Sequence, residues 1–170
     1  LASAGHRIAL VARDRDRLLA DEAAIAGAGG MASALSFDLA DAATPTSLLA
    51  AVHEKLGPVA VLVNNAGAAP SDRLENTTDA MLQETLALHI TAPLALARTC
   101  LPDLRAATAP AIVNVASTAG LRGYPFTAAY TAAKHGMVGL SRAIAAELAS
   151  TPIRVYALCP GFVDTDITRA

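Results

Sequence analysis

Apolar stretches of strand length recur along this chain at residues 7–11, 31–37, 59–63, 111–116 and 153–158, and the segments between them are long enough to be helices. The helical segments are expected at 15–26, 46–56, 78–106 and 127–149, with Pro45 and the Ser150-Thr151-Pro152 run as helix punctuation. Runs such as AIVNV and IRVYAL are continuously apolar, the pattern of parallel strands covered on both faces. Alternation of this kind predicts an α/β fold with a doubly wound parallel sheet, and without repeats or low-complexity linkers a single domain spans 1–170.

The bulk properties narrow the partners. A chain that is 54% apolar and 16% charged is globular rather than disordered, and no apolar run reaches the length of a membrane span. A formal charge of −2 with scattered arginines offers no field for nucleic acid or an anionic membrane, so a small-molecule partner is expected. Cys100 and Cys159 lack metal-ligand spacing and read as reduced thiols in a cytoplasmic protein; no metal site is expected.

In open parallel sheets, ligands lie beyond the carboxyl ends of the strands. Here those ends read ARD (12–14), DLAD (38–41), NNAG (64–67), STAG (117–120) and CPGFVDT (159–165). Small residues, amides and hydroxyls at successive strand ends let an extended nucleotide approach backbone N–H groups, although each loop alone could be ordinary turn chemistry.

Tyr130 and Lys134 stand four apart in the last helical segment, hence on one helix face. A phenol titrates near 10, so acid–base work near neutrality needs a shift of about three units, about 4 kcal/mol, which a neighbouring cation in a partly dry cleft supplies. Only two of the 13 basic residues are lysines, Lys55 and Lys134. Ser117, thirteen residues before Tyr130 at a strand end, is a candidate hydrogen-bond donor to the same substrate oxygen, or else a turn cap.

The helix carrying the pair has an apolar stripe of Ala133, Met137, Leu140, Ile144 and Leu148, and a separate face of Ala132, Gly136, Gly139, Ala143 and Ala146. The small-residue face suits close packing against either the long helix 78–106 or a partner subunit.

Together, NNAG, a serine thirteen residues ahead of YTAAK, and PGFVDT resemble the short-chain dehydrogenase/reductase family, in order and over essentially the whole chain. The resemblance implies a Rossmann-type sheet and an NAD(P)-dependent oxidoreductase acting on a small ketone or secondary alcohol. In it Tyr130 is the general acid/base, Ser117 polarises the carbonyl, and Lys134 lowers the tyrosine pKa and binds the nicotinamide ribose. It also implies Asn64, Ala66 and Gly67 along the adenosine, Asp38 and Leu39 at the adenine, and Pro160, Gly161, Val163 and Thr165 at the nicotinamide end. Ala12 stands where such folds carry an acidic residue for the ribose 2′-OH, and Arg13 follows it; a guanidinium suits a 2′-phosphate, so NADP(H) is expected over NAD(H). The full-length protein is expected to be a homodimer or homotetramer.

The chain departs from the family twice. Where the family carries an asparagine that helps hold a water linked to the lysine, this chain has His89, which either preserves that relay or fills a gap between helices. The family's opening strand and Thr-Gly-x-x-x-Gly-x-Gly loop have no counterpart before Leu1; Gly27–Gly30 follows a helix and reads as a helix stop. The chain therefore reads as an internal fragment lacking its first and last strands, with the first missing strand belonging to the middle of the sheet. Three functions follow: a ketone or alcohol oxidoreductase, a 3-oxoacyl thioester reductase, or a non-catalytic truncated product.

Overall fold

The computed structural model describes residues 1–163 and resolves the chain into two compact units, Leu1–Val59 and Ala60–Ala170. Both are α/β with parallel strands.

In the first unit β1 (Arg7–Ala12) pairs with β2 (Met31–Ser36) in register from Arg7↔Met31 to Ala12↔Ser36. Between them runs α1 (Arg15–Gly27), whose first turn is capped by the Asp14 carboxylate accepting from the Arg17 N–H at 3.0 Å. It ends as the glycines require: Gly29 has φ +80°, and the N–H groups of Gly29 and Gly30 bond back to the carbonyls of Ala26 and Ile25. Helix α2 (Thr44–Leu56) starts two residues earlier than expected, because Pro45 occupies its first turn rather than preceding it. Leu18, Leu35, Leu48, Val52 and Leu56 form its apolar interior.

The second unit holds a parallel sheet in the order β3 (Val61–Asn64), β4 (Ala111–Val115), β5 (Arg154–Leu158). In β4 every second residue, Ile112 and Asn114, is almost completely buried, whereas Val61 and Val63 of β3 and Tyr156 and Leu158 of β5 are 36–51% exposed. The expected helix 78–106 is interrupted. Helix α3 (Asp79–Leu86), capped by Thr78, passes into a π-helical turn (Ala87–Thr91) and then α4 (Ala92–Ala106). Pro93 explains the break: it has no N–H for the residue-89 carbonyl, and the ladder widens so that the Ala92 N–H bonds to the Ala87 carbonyl.

Helix α5 (Ala128–Glu147) buries Ala129, Ala133, Lys134, Met137, Val138 and Ser141. Its small-residue face, Ala132, Gly136, Gly139, Ala143 and Ala146, is exposed along its length. Of its two glycines, Gly136 meets a neighbour at close range, since a Cβ there would lie 2.9 Å from Ile90 Cδ1, while a Cβ at Gly139 would meet nothing within 4 Å. No helix among the described residues is long and apolar enough to cross a membrane.

Candidate active site

The end of β4 organises the candidate catalytic groups. Lys134, only 4% exposed, reaches from α5 and donates from Nζ to the carbonyl of Val115 at 2.8 Å. Its pKa is pushed down to about 8 by burial, with Cys159 acting in the opposite sense. Near neutrality it is therefore mostly an ammonium, with two of its three N–H groups beyond the Val115 bond. That Nζ lies 5.6 Å from the centroid of the Tyr130 ring, which is half-buried one helical turn earlier. The expected direct approach of ammonium to phenol is thus a near approach across the ring, and among the described residues no hydrogen bond engages the Tyr130 hydroxyl.

Two residues after Val115, Ser117 caps a 3-10 turn (Thr118–Gly120), its Oγ accepting from the Ala119 N–H at 3.1 Å. The cap and the chemical role are compatible, because a serine that accepts from a backbone N–H keeps its own O–H for a further partner. The turn packs directly on the lysine's segment of α5: a Cβ at Gly120 would lie 2.6 Å from the Lys134 carbonyl oxygen. A glycine at 120 is what lets the serine-bearing turn and the lysine-bearing helix meet.

Beneath these groups runs a buried polar chain. Asn64 Nδ2 donates to Asn114 Oδ1 at 2.8 Å, Asn114 Nδ2 donates to Ser141 Oγ at 2.9 Å, and Ser141 donates to the Met137 carbonyl at 2.7 Å. Asn64 and Asn114 face each other across β3 and β4. The side chain of Asn64 is therefore committed inside the protein, leaving the adjoining backbone and the exposed Ala66 to line any ligand. Asn114 and Ser141 escaped the sequence reading, though an asparagine inside AIVNV, a strand otherwise apolar, was a visible signal.

His89 is 1% exposed, in the π-helical turn. Its Nε2 lies 2.8 Å from the Ala68 carbonyl oxygen, and its ring stands at 80° to that of Tyr130 with centroids 5.6 Å apart. Burial, reinforced by the Lys134 charge, pushes its pKa down to about 4.

The chain after β5 closes on the same turn, with the Thr118 N–H donating to the Pro160 carbonyl at 2.9 Å. Gly161 and Val163 are exposed, and a Cβ at Gly161 would meet nothing within 4 Å. Thr165 lies outside the described residues. On this side Tyr124 bonds to Thr118 Oγ1 at 3.0 Å and accepts from Arg122 Nε at 2.9 Å, a cluster the motif reading did not single out.

The remaining candidates belong to the first unit. Arg13 follows β1 and is exposed, its backbone carbonyl accepting from Ser36 Oγ. Asp38 is exposed and holds a turn, Oδ1 accepting from the Ala40 N–H at 2.9 Å; Leu39 is half-buried.

Comparison with known proteins bears on this geometry. The short chain dehydrogenase family description matches residues 1–170. A bovine 3-oxoacyl-[acyl-carrier-protein] reductase is 35% identical over 99% of this chain and 70% of its own length. A Xanthobacter autotrophicus relative described as an inactive 2-(S)-hydroxypropyl-CoM dehydrogenase is 38% identical over 98% of this chain and 71% of its own. Among solved structures, an NADPH-bound short chain oxidoreductase of Pseudomonas aeruginosa, described as having an atypical catalytic center, superposes with a TM-score of 0.91 at 32% identity, covering 98% of this chain and 66% of that one. The chain spans about two thirds of the length of the curated relatives it matches.

Proposed function

The chain belongs to the short-chain dehydrogenase family, and from that premise we propose that it serves an NADP(H)-favouring oxidoreductase that interconverts a ketone and a secondary alcohol through Ser117, Tyr130 and Lys134. The observation that carries this reading is the buried Lys134 ammonium, anchored to Val115 beside the ring of Tyr130.

In the reductive direction the Tyr130 hydroxyl gives its proton to the substrate carbonyl oxygen. Ser117, its lone pair taken by the Ala119 N–H, donates its O–H to the same oxygen and orients it. Lys134 stabilises the phenolate left behind, since a partly dry cation lowers the cost of charging a nearby phenol. A reduced nicotinamide, when bound, supplies the hydride. The strand ends suit such a group: Ala66 and Gly161 put no bulk over the backbone, and Pro160, Gly161 and Val163 are assigned its nicotinamide end with Thr165. Asn64, Ala66 and Gly67 are assigned the adenosine side, Asp38 and Leu39 the adenine, and Arg13 the 2′-phosphate; the NADPH carried by the Pseudomonas neighbour supports that choice.

A 3-oxoacyl thioester is the alternative substrate, supported by the bovine relative. The exposed small-residue face of α5 supports a homodimer or homotetramer of the full-length protein, and two free cysteines support a cytoplasmic location. The 170 residues alone contain no Gly-rich pyrophosphate loop of the family's pattern and are expected to bind NADPH weakly; tight calorimetric binding to them would contradict this.

The decisive experiment screens carbonyl substrates with the full-length protein and NADPH. Tyr130→Phe should reduce turnover by about 10³-fold while leaving the fold intact. Turnover retained in that variant would remove Tyr130 from the chemistry.

A further inference from the structure

We propose that His89 is a positioning residue that clamps the loop after β3 against the ring of Tyr130, in a space kept open by Gly67. Three contacts made by one imidazole carry the proposal. Its Nε2 is bonded to Ala68 in the loop, its ring stands perpendicular to that of Tyr130, and its Cε1 would lie 2.7 Å from a Cβ at Gly67. A histidine that merely filled a gap between helices would place no such demand on a loop residue 22 positions earlier. The π-helical turn brings the side chain there: Pro93 forbids the regular ladder, and the extra residue in the turn carries position 89.

The tautomer follows from distances. Nε2 is 2.8 Å from the Ala68 carbonyl oxygen and 3.4 Å from the Ala68 nitrogen, so Nε2–H donates to the oxygen and cannot at the same time accept from the N–H. Nδ1 then carries only a lone pair, which agrees with its being buried without a partner. The opposite tautomer would strand an N–H in the interior, and the imidazolium would do so beside the Lys134 charge, with Tyr130 as the other titratable neighbour. The side chain is thus a neutral strut whose donor is Nε2.

Position 89 therefore differs from an asparagine in reach. An asparagine amide ends where Nδ1 stands, one atom short of the Ala68 carbonyl, whereas glutamine carries an N–H to the Nε2 position. The clamp joins the loop assigned to the adenosine to the proposed proton donor, and in that respect it rests on the reading above.

Two measurements independent of turnover test it. In ¹⁵N spectra of the wild-type chain, His89 should be the Nε2–H tautomer. In thermal unfolding, Gly67→Ala should lower the midpoint by about 5 °C in wild type, yet add little in a His89→Asn background, where no Cε1 remains to be struck. His89→Gln should unfold near the wild-type midpoint, and His89→Asn, which also loses the ring-current shift on the Tyr130 protons, should fall below it. An Nδ1–H tautomer, additive losses, or a His89→Asn variant as stable as wild type would overturn the clamp. If His89→Asn fails to fold, the tautomer and the Gly67→Ala loss in wild type decide. None of these outcomes depends on redox activity, so a clamp that holds in an inactive protein would sink only the oxidoreductase assignment.

Discussion

The two units solve the same folding problem with different interiors. The first is a pair of parallel strands with helices packed on apolar side chains, and the residues in it proposed to act in ligand choice, Arg13 and Asp38, are exposed. The second buries an ammonium, an imidazole and an Asn-Asn-Ser chain, with Lys134 and His89 both held at depressed pKa by burial. Desolvating those groups opposes folding, so the second unit gives up stability where reactive chemistry is proposed, and the first does not. Selectivity by an exposed side chain can be altered at little structural cost; a reactive centre built from buried groups cannot.

Acid provides the largest test of that contrast. The folded-state pKa of His89, about 4, lies below its ordinary value of 6.5, so between those limits the unfolded chain binds the extra proton. The stability associated with neutral His89 is complete above pH 6.5 and lost as pH falls to 4, in total about 3 kcal/mol. Lys134 acts in another window: burial penalises its charged form, so its contribution improves as pH rises from about 8 towards 10.5. The three tyrosines, Tyr124, Tyr130 and Tyr156, all belong to the second unit and there is no tryptophan, so tyrosine fluorescence follows that unit's unfolding alone. Denaturant titrations should give a midpoint that falls between pH 6.5 and 4 and flattens in His89→Gln. An unchanged slope in the variant would show that other groups carry the acid sensitivity.

Glycine-to-alanine substitutions sharpen the comparison at about 2 kcal/mol. At Gly120 the added methyl meets a backbone oxygen of the lysine-bearing helix at 2.6 Å, and backbone cannot rotate away. At Gly27, in the last turn of α1, the same methyl meets nothing within 4 Å and helix propensity favours it. Gly120→Ala should therefore destabilise by about 2 kcal/mol and Gly27→Ala should be neutral or slightly stabilising, both read by urea unfolding. Equal effects would mean that the turn bearing Ser117 is not packed as tightly as the distances indicate.

Most of the fold was legible because continuous apolar runs and helix-length spacers leave few alternatives to a parallel α/β arrangement, and strand positions were recovered within two residues. Ser117 at a strand end and the four-residue spacing of Tyr130 and Lys134 on one helix were visible as candidates because both are local properties. What escaped was three-dimensional. The π-helical turn depends on Pro93 withholding one hydrogen bond inside a segment that otherwise reads as a single helix. The internal commitment of Asn64 depends on facing Asn114 fifty residues away, and the lysine's anchor at Val115 likewise joins separate elements. Helical spacing placed Lys134 near Tyr130 correctly, yet it could not show that the nearest acceptor of the ammonium is a strand-end carbonyl.

The smallest expected effect lies in the first unit and concerns Arg13. Its guanidinium is exposed and engages no partner among the described residues, so removing it should leave folding unchanged within about 0.5 kcal/mol. If it receives a 2′-phosphate, the interaction is an exposed charge pair, worth about 1 kcal/mol and screened by salt. In the full-length protein Arg13→Ala should then lower kcat/KM for NADPH by about fivefold and leave that for NADH nearly unchanged, with the gap between wild type and variant narrowing as ionic strength rises. Equal loss with both cofactors would mean that Arg13 contacts a part of the nucleotide common to them. No loss with either would transfer the choice of cofactor to residues outside the strand end after β1.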